Sequence, residues 1–231
     1  MSKKNSVHTF KRIVRSVTVF LLFFCSAYLQ YIPIKLFRLD IQNISESMEV
    51  MLSVFSEAVI LIVFFFIYRR DLREDFQKFI KHPVRCLDTG FRYWMVGLII
   101  MMVSNSIIHF YFNAGQANNE QAVQSMIKAL PWMMVLNAGV LAPINEEIVF
   151  RKAFRDVFSN KWLFVFLSFL FFGGAHVVLS ASSLVDYLYI IPYGVLGASF
   201  ALSYYETDSI FTSICLHMFH NMILVLLSVL L

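Results

Sequence analysis

The sequence predicts an all-α fold: a polytopic membrane bundle of about seven transmembrane helices with one interfacial amphipathic helix. Three observations predict it. Hydrophobic residues make up 59% of the 231 positions and charged residues only 15%, against roughly a quarter charged in ordinary soluble domains. Mean hydropathy is +0.69. Apolar runs near the 20 or so residues that a span requires recur along the whole chain, at roughly 17–35, 48–68, 92–113, 131–157, 161–179, 184–204 and 209–230.

The first run follows Lys3, Lys4, Lys11, Arg12 and Arg15 and has the outline of a signal peptide. It continues past Cys25 to about Ile34 without a small-x-small site, so a retained first span is expected. Between the second and third runs lies Arg69 to Arg92, rich in both charge signs. Leu72, Phe76, Phe79 and Ile80 share one helical face there and Pro83 ends the pattern, which predicts an amphipathic helix on the membrane surface; a plain solvated loop is the alternative. Residues 114–130 form the longest connection on the opposite side, with a weaker stripe of Val123, Met126, Ile127 and Leu130. Pro131 suits the first turn of the fourth run. Ser159-Asn160 is placed to cap the fifth, Ser183 with Asp186 to make a capping box for the sixth, and Asp208 or Ser209 to start the seventh. Asn105 with His109, Asn137 and Asp186 read as structural or interhelical polar contacts.

Sixteen of the 19 lysines and arginines fall in three segments: five before the first run, seven from Arg69 to Arg92, and four from Arg151 to Lys161. Only Lys35, Arg38 and Lys128 lie elsewhere. The positive-inside rule then predicts a cell-membrane protein with a cytoplasmic N-terminus and an external C-terminus. The net charge of +4 is a topology signal of this kind, and no nucleic-acid partner is expected. Cys25, Cys86 and Cys215 have no paired spacing, so neither a disulfide framework nor a thiolate metal site follows. No internal repeat is visible. The expectation is one structural domain, divided functionally into residues 1–128, with three spans and the interfacial helix, and residues 129–231, with four spans.

The chemistry concentrates in Pro143-Ile144-Asn145-Glu146-Glu147-Ile148-Val149-Phe150-Arg151. Ionisable residues within a span are costly and usually face a protein interior or trapped water. Glu147 and Arg151 are four apart, so a helix lets them pair. Glu146 lies about 100° round the helix and is left out of that pair. Pro143 should kink the span. Measured from the turn near Ser159, Glu146 and His176 lie about 20 and 25 Å along their helices, and from the turn near Thr207, His217 and Asn221 lie about 15 and 21 Å. A carboxylate and an imidazole at similar depth suit a water-activating base. His217 and Asn221, at i and i+4, suit donors to a carbonyl oxyanion. Gly173, Gly174, Gly194 and Gly197 read as close-packing positions, and His220 as a supporting or packing group. The chain has no His-Glu-x-x-His, Gly-x-Ser-Gly or Gly-x-Gly-Asp motif. Glu146, His176 and His217 have ligand types suited to zinc, but their spacing matches no standard zinc motif, so no metal or other cofactor is expected.

Glu146-Glu147-x-x-x-Arg151, Phe172-x-x-x-His176 and His217-x-x-x-Asn221, in that order and on separate runs, resemble the signature of the CPBP family, the CAAX proteases and bacteriocin-processing enzymes once called Abi proteins, among them the type II CAAX prenyl proteases. The resemblance covers about residues 131–231. It implies an intramembrane glutamic endopeptidase in which Glu146 and His176 activate water and His217 and Asn221 line the oxyanion hole. Glu147 and Arg151 support them, and Phe172 packs alongside. Lys152 stands where many relatives have glycine, and the seven runs contrast with the eight spans usual in the eukaryotic enzymes. The implied partners are membrane lipid and a peptide or lipidated protein substrate: a bacteriocin or pheromone precursor in a bacterial setting, a prenylated CAAX protein in a eukaryotic one. Two other functions stay open at this point, a non-catalytic scaffold or bacteriocin self-immunity protein of the same fold and a proton-coupled transporter. The oligomeric state is not legible.

Overall fold

A computed structural model of the chain describes residues 3–230, with side chains from Thr9 onward. Met1, Ser2 and Leu231 lie outside the described residues, as do the side chains of Lys3 and Lys4, two of the basic residues counted toward orientation. Among the described residues there is no strand. The helices are α1 (Lys3–Cys25), α2 (Tyr31–Leu36), α3 (Glu46–Lys81), α4 (Pro83–Phe112), α5 (Asn118–Ala129), α6 (Pro131–Leu136), α7 (Ala142–Glu147), α8 (Phe154–Val157), α9 (Lys161–Val177), α10 (Ile190–Thr207) and α11 (Ile210–Leu230). Among the described residues six stretches are long and apolar enough to cross a membrane: Thr9–Leu36, Glu46–Lys81, Pro83–Phe112, Pro131–Val157, Asp186–Thr207 and Ile210–Leu230. The seventh expected span corresponds to α9, an apolar helix but only 17 residues long. The protein is thus a multi-pass membrane helical bundle.

The stretch 69–92 is drawn differently from the expected interfacial helix. Residues up to Lys81 extend α3 to 36 residues, and Pro83 opens α4. The break follows from proline chemistry: Pro83 has no N–H to continue α3, while its fixed φ suits the first turn of a new helix. His82 before it leaves the helical region, with φ −141° and ψ 57°, in line with the bias of a residue preceding proline against the α conformation. Residues 118–129, expected only as a weak stripe, form α5, with Ile127 buried.

The chain forms two compact units, each built from separated stretches. The first comprises residues 1–72, 124–157 and 217–231, the second residues 73–123 and 158–216. In the first unit α1 lies against the segment after α7. Phe150 meets Phe20 and Phe23 edge-on, with centroids 6.4 and 5.5 Å apart. At the polar end of this contact Arg15 pairs with Asp71 at 2.8 Å and with Asp156, and stacks on Tyr68 at 4.3 Å. Asn137 Nδ2 donates to Ser53 Oγ at 3.0 Å, an interhelical contact of the kind its sequence position suggests.

In the second unit α10 packs against both α4 and α9. Trp94, Leu196, Phe200 and Leu216 form its apolar core. The glycines permit the approach of α9 and α10. A Cβ at Gly173 would lie 2.5 Å from the Ile190 carbonyl oxygen, and one at Gly194 would lie 2.8 Å from that of Phe169. Gly174 has no such neighbour and is not part of the seam. Because backbone atoms cannot swing aside, Gly173→Ala is expected to destabilise the protein by about 1–3 kcal/mol, read as a lower melting temperature in detergent, whereas Gly174→Ala leaves it unchanged. The local punctuation is as expected. Asn160 Oδ1 accepts from the Leu163 N–H at 3.0 Å. Ser183 and Asp186 form a reciprocal capping box, with Ser183 N–H to Asp186 Oδ2 at 2.9 Å and Asp186 N–H to Ser183 Oγ at 3.3 Å. Asp208 takes a left-handed conformation, φ 49°, at the end of α10. The Ser209 hydroxyl donates to the Asp75 carbonyl rather than capping α11.

Candidate functional site

The fourth apolar run is not a plain α-helix. Between α6, α7 and α8 lie two π-helical stretches, Asn137–Leu141 and Ile148–Ala153. Such stretches are rare and occur often at functional sites. They bracket the tandem glutamates, which sit at the end of α7. The proline-induced disturbance expected at Pro143 therefore takes the form of a change in hydrogen-bond register.

Glu147 and Arg151 are both fully buried and pair at 3.1 Å between Glu147 Oε1 and Arg151 Nη1. This is the i, i+4 pair the spacing predicts. His217 reaches into the same place from α11, with Nδ1 2.9 Å from Glu147 Oε1 and Nε2 3.7 Å from Glu146 Oε2. A carboxylate held ionised by an arginine accepts hydrogen bonds and cannot donate. The proton of the short contact must then belong to Nδ1, so Glu147 fixes both the orientation of the imidazole and which nitrogen faces Glu146. The order is arginine, carboxylate, imidazole, carboxylate. Glu146 is the more exposed of the two acids, its side chain at 15% against 0% for Glu147. The structure thus gathers Glu146, Glu147, Arg151 and His217. It also gives His217 a bond to Glu147 that helix spacing alone does not reveal.

Asn221, one turn beyond His217, donates from Nδ2 to the Ala138 carbonyl at 2.9 Å. A further acidic residue escaped the sequence reading. Glu57, in the first half of α3, accepts from Asn145 Nδ2 at 2.6 Å on its carboxylate and at 2.9 Å on its carbonyl oxygen. Asn145 is fully buried and directly precedes Glu146. The signal was present as a lone carboxylate within an apolar run, the pattern that marks intramembrane function.

Phe172 and His176 belong to the second unit and lie on α9, close to each other. The His176 ring sits between two aromatic rings, Phe172 with a centroid distance of 4.5 Å and Tyr193 stacked at 4.7 Å. Its Nδ1 is 2.8 Å from the Phe172 carbonyl. A carbonyl only accepts, so Nδ1 carries a proton there, and in the neutral ring Nε2 is the acceptor nitrogen. A small niche at His176 is lined by Asn118, Asn119, Ser180, Asp186 and Tyr189 among others. Asp186 Oδ2 ties that niche together, accepting from Asn118 Nδ2 at 3.3 Å and from the Ser182 N–H at 2.7 Å. Among the described residues no three His, Cys, Asp or Glu side chains are arranged to hold a metal ion.

Comparison with known proteins points the same way as the motifs. Residues 128–223 match the family described as type II CAAX prenyl endopeptidase Rce1-like. The chain is similar to "Putative membrane peptidase YdiL" of Bacillus subtilis, with 28% identity over 58% of this chain and 53% of that protein. It is also similar to "UPF0177 protein YajF" of Lactococcus lactis, with 35% identity over 40% of this chain and 49% of that protein. "UPF0177 protein YbdI" of the same organism is 34% identical over 38% of this chain and 54% of that protein. The chain spans about half the length of these curated relatives. No solved structure matches. Over residues 128–223, the part that carries the tandem glutamates and the His217–Asn221 pair, this multi-pass membrane protein is similar to the Rce1-like type II CAAX prenyl endopeptidases.

Proposed function

We propose that the protein is an intramembrane endopeptidase that cleaves a peptide bond with activated water. The observation that carries this reading is the buried relay from Arg151 through Glu147 and His217 to Glu146. Glu146 takes a proton from water, and the resulting hydroxide attacks the substrate carbonyl. The electron pair of the C=O bond moves to oxygen, and His217 Nε2, when protonated, donates to that oxyanion. Glu147 holds the opposite edge of the ring, and Arg151 keeps Glu147 charged. The C–N bond then breaks as the proton held by Glu146 passes to the leaving nitrogen, giving a carboxyl product and an amine. In the same proposal His176 is the second proton acceptor that the family pattern supplies, and the roles of Phe172 and Asn221 in the reaction belong to it as well. No step calls for a metal or cofactor.

The substrate class that suits the family description is a short hydrophobic peptide or a lipidated protein C-terminus, reached from the cytoplasmic side. In this reading the N-terminus is cytoplasmic and the C-terminus external, as the lysine and arginine bias implies. The protein reconstituted in liposomes should cleave a farnesylated CAAX peptide, or its unlipidated counterpart, and in ¹⁸O-water should place one ¹⁸O in the new carboxyl group. Absence of cleavage of both peptides, or a hydroxylamine-trappable acyl-enzyme, would overturn it.

A further inference from the structure

The backbone around Pro143 leaves one acceptor without a main-chain partner, and the side chain that fills it comes from another helix. The Ala142 N–H goes to the Asn137 carbonyl, the i to i−5 bond of the π turn. In an α register that N–H would instead have served Ala138. In the π register the next donor, aimed at Ala138, is the nitrogen of Pro143, which carries no hydrogen. The register the chain adopts therefore leaves the Ala138 carbonyl without a donor from its own helix. Asn221 Nδ2 meets that oxygen at 2.9 Å.

We infer that Asn221 is a positioning residue, standing in for the amide hydrogen that Pro143 lacks and so fixing the π turn that leads into Glu146 and Glu147. The inference goes beyond an oxyanion role. Its structural half is independent of the proposed function, and only its consequence for rate rests on that reading. A carbonyl without a donor is costly within the hydrocarbon layer, where no water replaces the lost bond. The Asn221 amide also sits one turn past His217, so the bond that secures the turn sets the register of the imidazole as well.

A double-variant cycle tests this. Asn221→Leu keeps the branched shape of the side chain and removes the donor, and Pro143→Ala restores a main-chain N–H. Asn221→Leu should lower the melting temperature in detergent by about 2–8 °C and slow cleavage by about 100-fold, the order of loss that a 1 Å misplacement causes. In the Pro143→Ala background the same substitution should cost less than half that shift in melting temperature and at most about tenfold in rate. Asn221→Ala run alongside guards against a steric artefact of leucine and should show the same coupling. Additive losses of stability would overturn the inference whether or not the protein is a peptidase. Recovered stability with the full loss of rate would overturn the positioning role and return the amide to the reacting atoms. A protein that cleaves nothing in any form, yet shows coupled melting temperatures, would sink the peptidase reading and leave the stand-in role of the amide in place.

Discussion

Replacing Glu146 with glutamine should abolish most of the cleavage while leaving the protein folded. The substitution preserves shape and removes the basic oxygen at the end of the relay. A general base of this kind contributes about 10²–10⁴-fold, so kcat/KM for the peptide should fall by that factor with KM little changed. Glu146 is the partly exposed member of the tandem pair and stands 3.7 Å from His217 Nε2. Its loss therefore leaves the buried pair of Glu147 and Arg151 untouched, and the melting temperature should hold. Steady-state kinetics on the reconstituted variant, beside a melting curve, give the answer. A variant as fast as the parent would remove Glu146 from the chemistry.

Arg151→Met is expected to have the largest effect on stability. Arg151 and Glu147 are both fully buried. Removing the arginine strands a carboxylate in a medium that cannot solvate it. Breaking a buried pair by taking one partner costs about 3–5 kcal/mol, enough to abolish most folded protein in mild detergent. The double variant Glu147→Gln, Arg151→Met carries no stranded charge and should regain much of the loss, although it forfeits the ordered His217 ring and with it the activity. The pattern to measure is a single variant that is severely unstable and a double variant that is more stable than it. An Arg151→Met protein within about 1 kcal/mol of the parent would show that Glu147 is not held as an ion by Arg151.

The features legible in the sequence are those written in local chemistry. The apolar runs locate the helices. Asn160 caps α9, Ser183 and Asp186 close a capping box, and Pro83 starts α4, because each acts on backbone groups within a few residues of itself. The pair of Glu147 with Arg151 was legible for the same reason. What spacing did not reveal is which atoms meet across elements. That His217 turns Nδ1 to Glu147 depends on where α11 lies, and that Glu57 holds Asn145 depends on where α3 lies. The stripe of Leu72, Phe76, Phe79 and Ile80 reports a face and Pro83 its end, but not its start, since the residues before Pro83 continue α3 without a break. Pro143 announced a disturbance without saying that the ladder would shift register, since that choice rests on a donor from α11.

The shortness of α9 carries a consequence for the lipid around it. Seventeen residues rise about 26 Å, a few ångströms less than the roughly 30 Å of a typical hydrocarbon layer. Membranes meet an undersized span by pinching inward at its ends, and His176 occupies the last turn of this one. Under the proposed peptidase reading, with α9 as a span, headgroup hydration is expected nearer this imidazole in a thinner bilayer than in a thicker one.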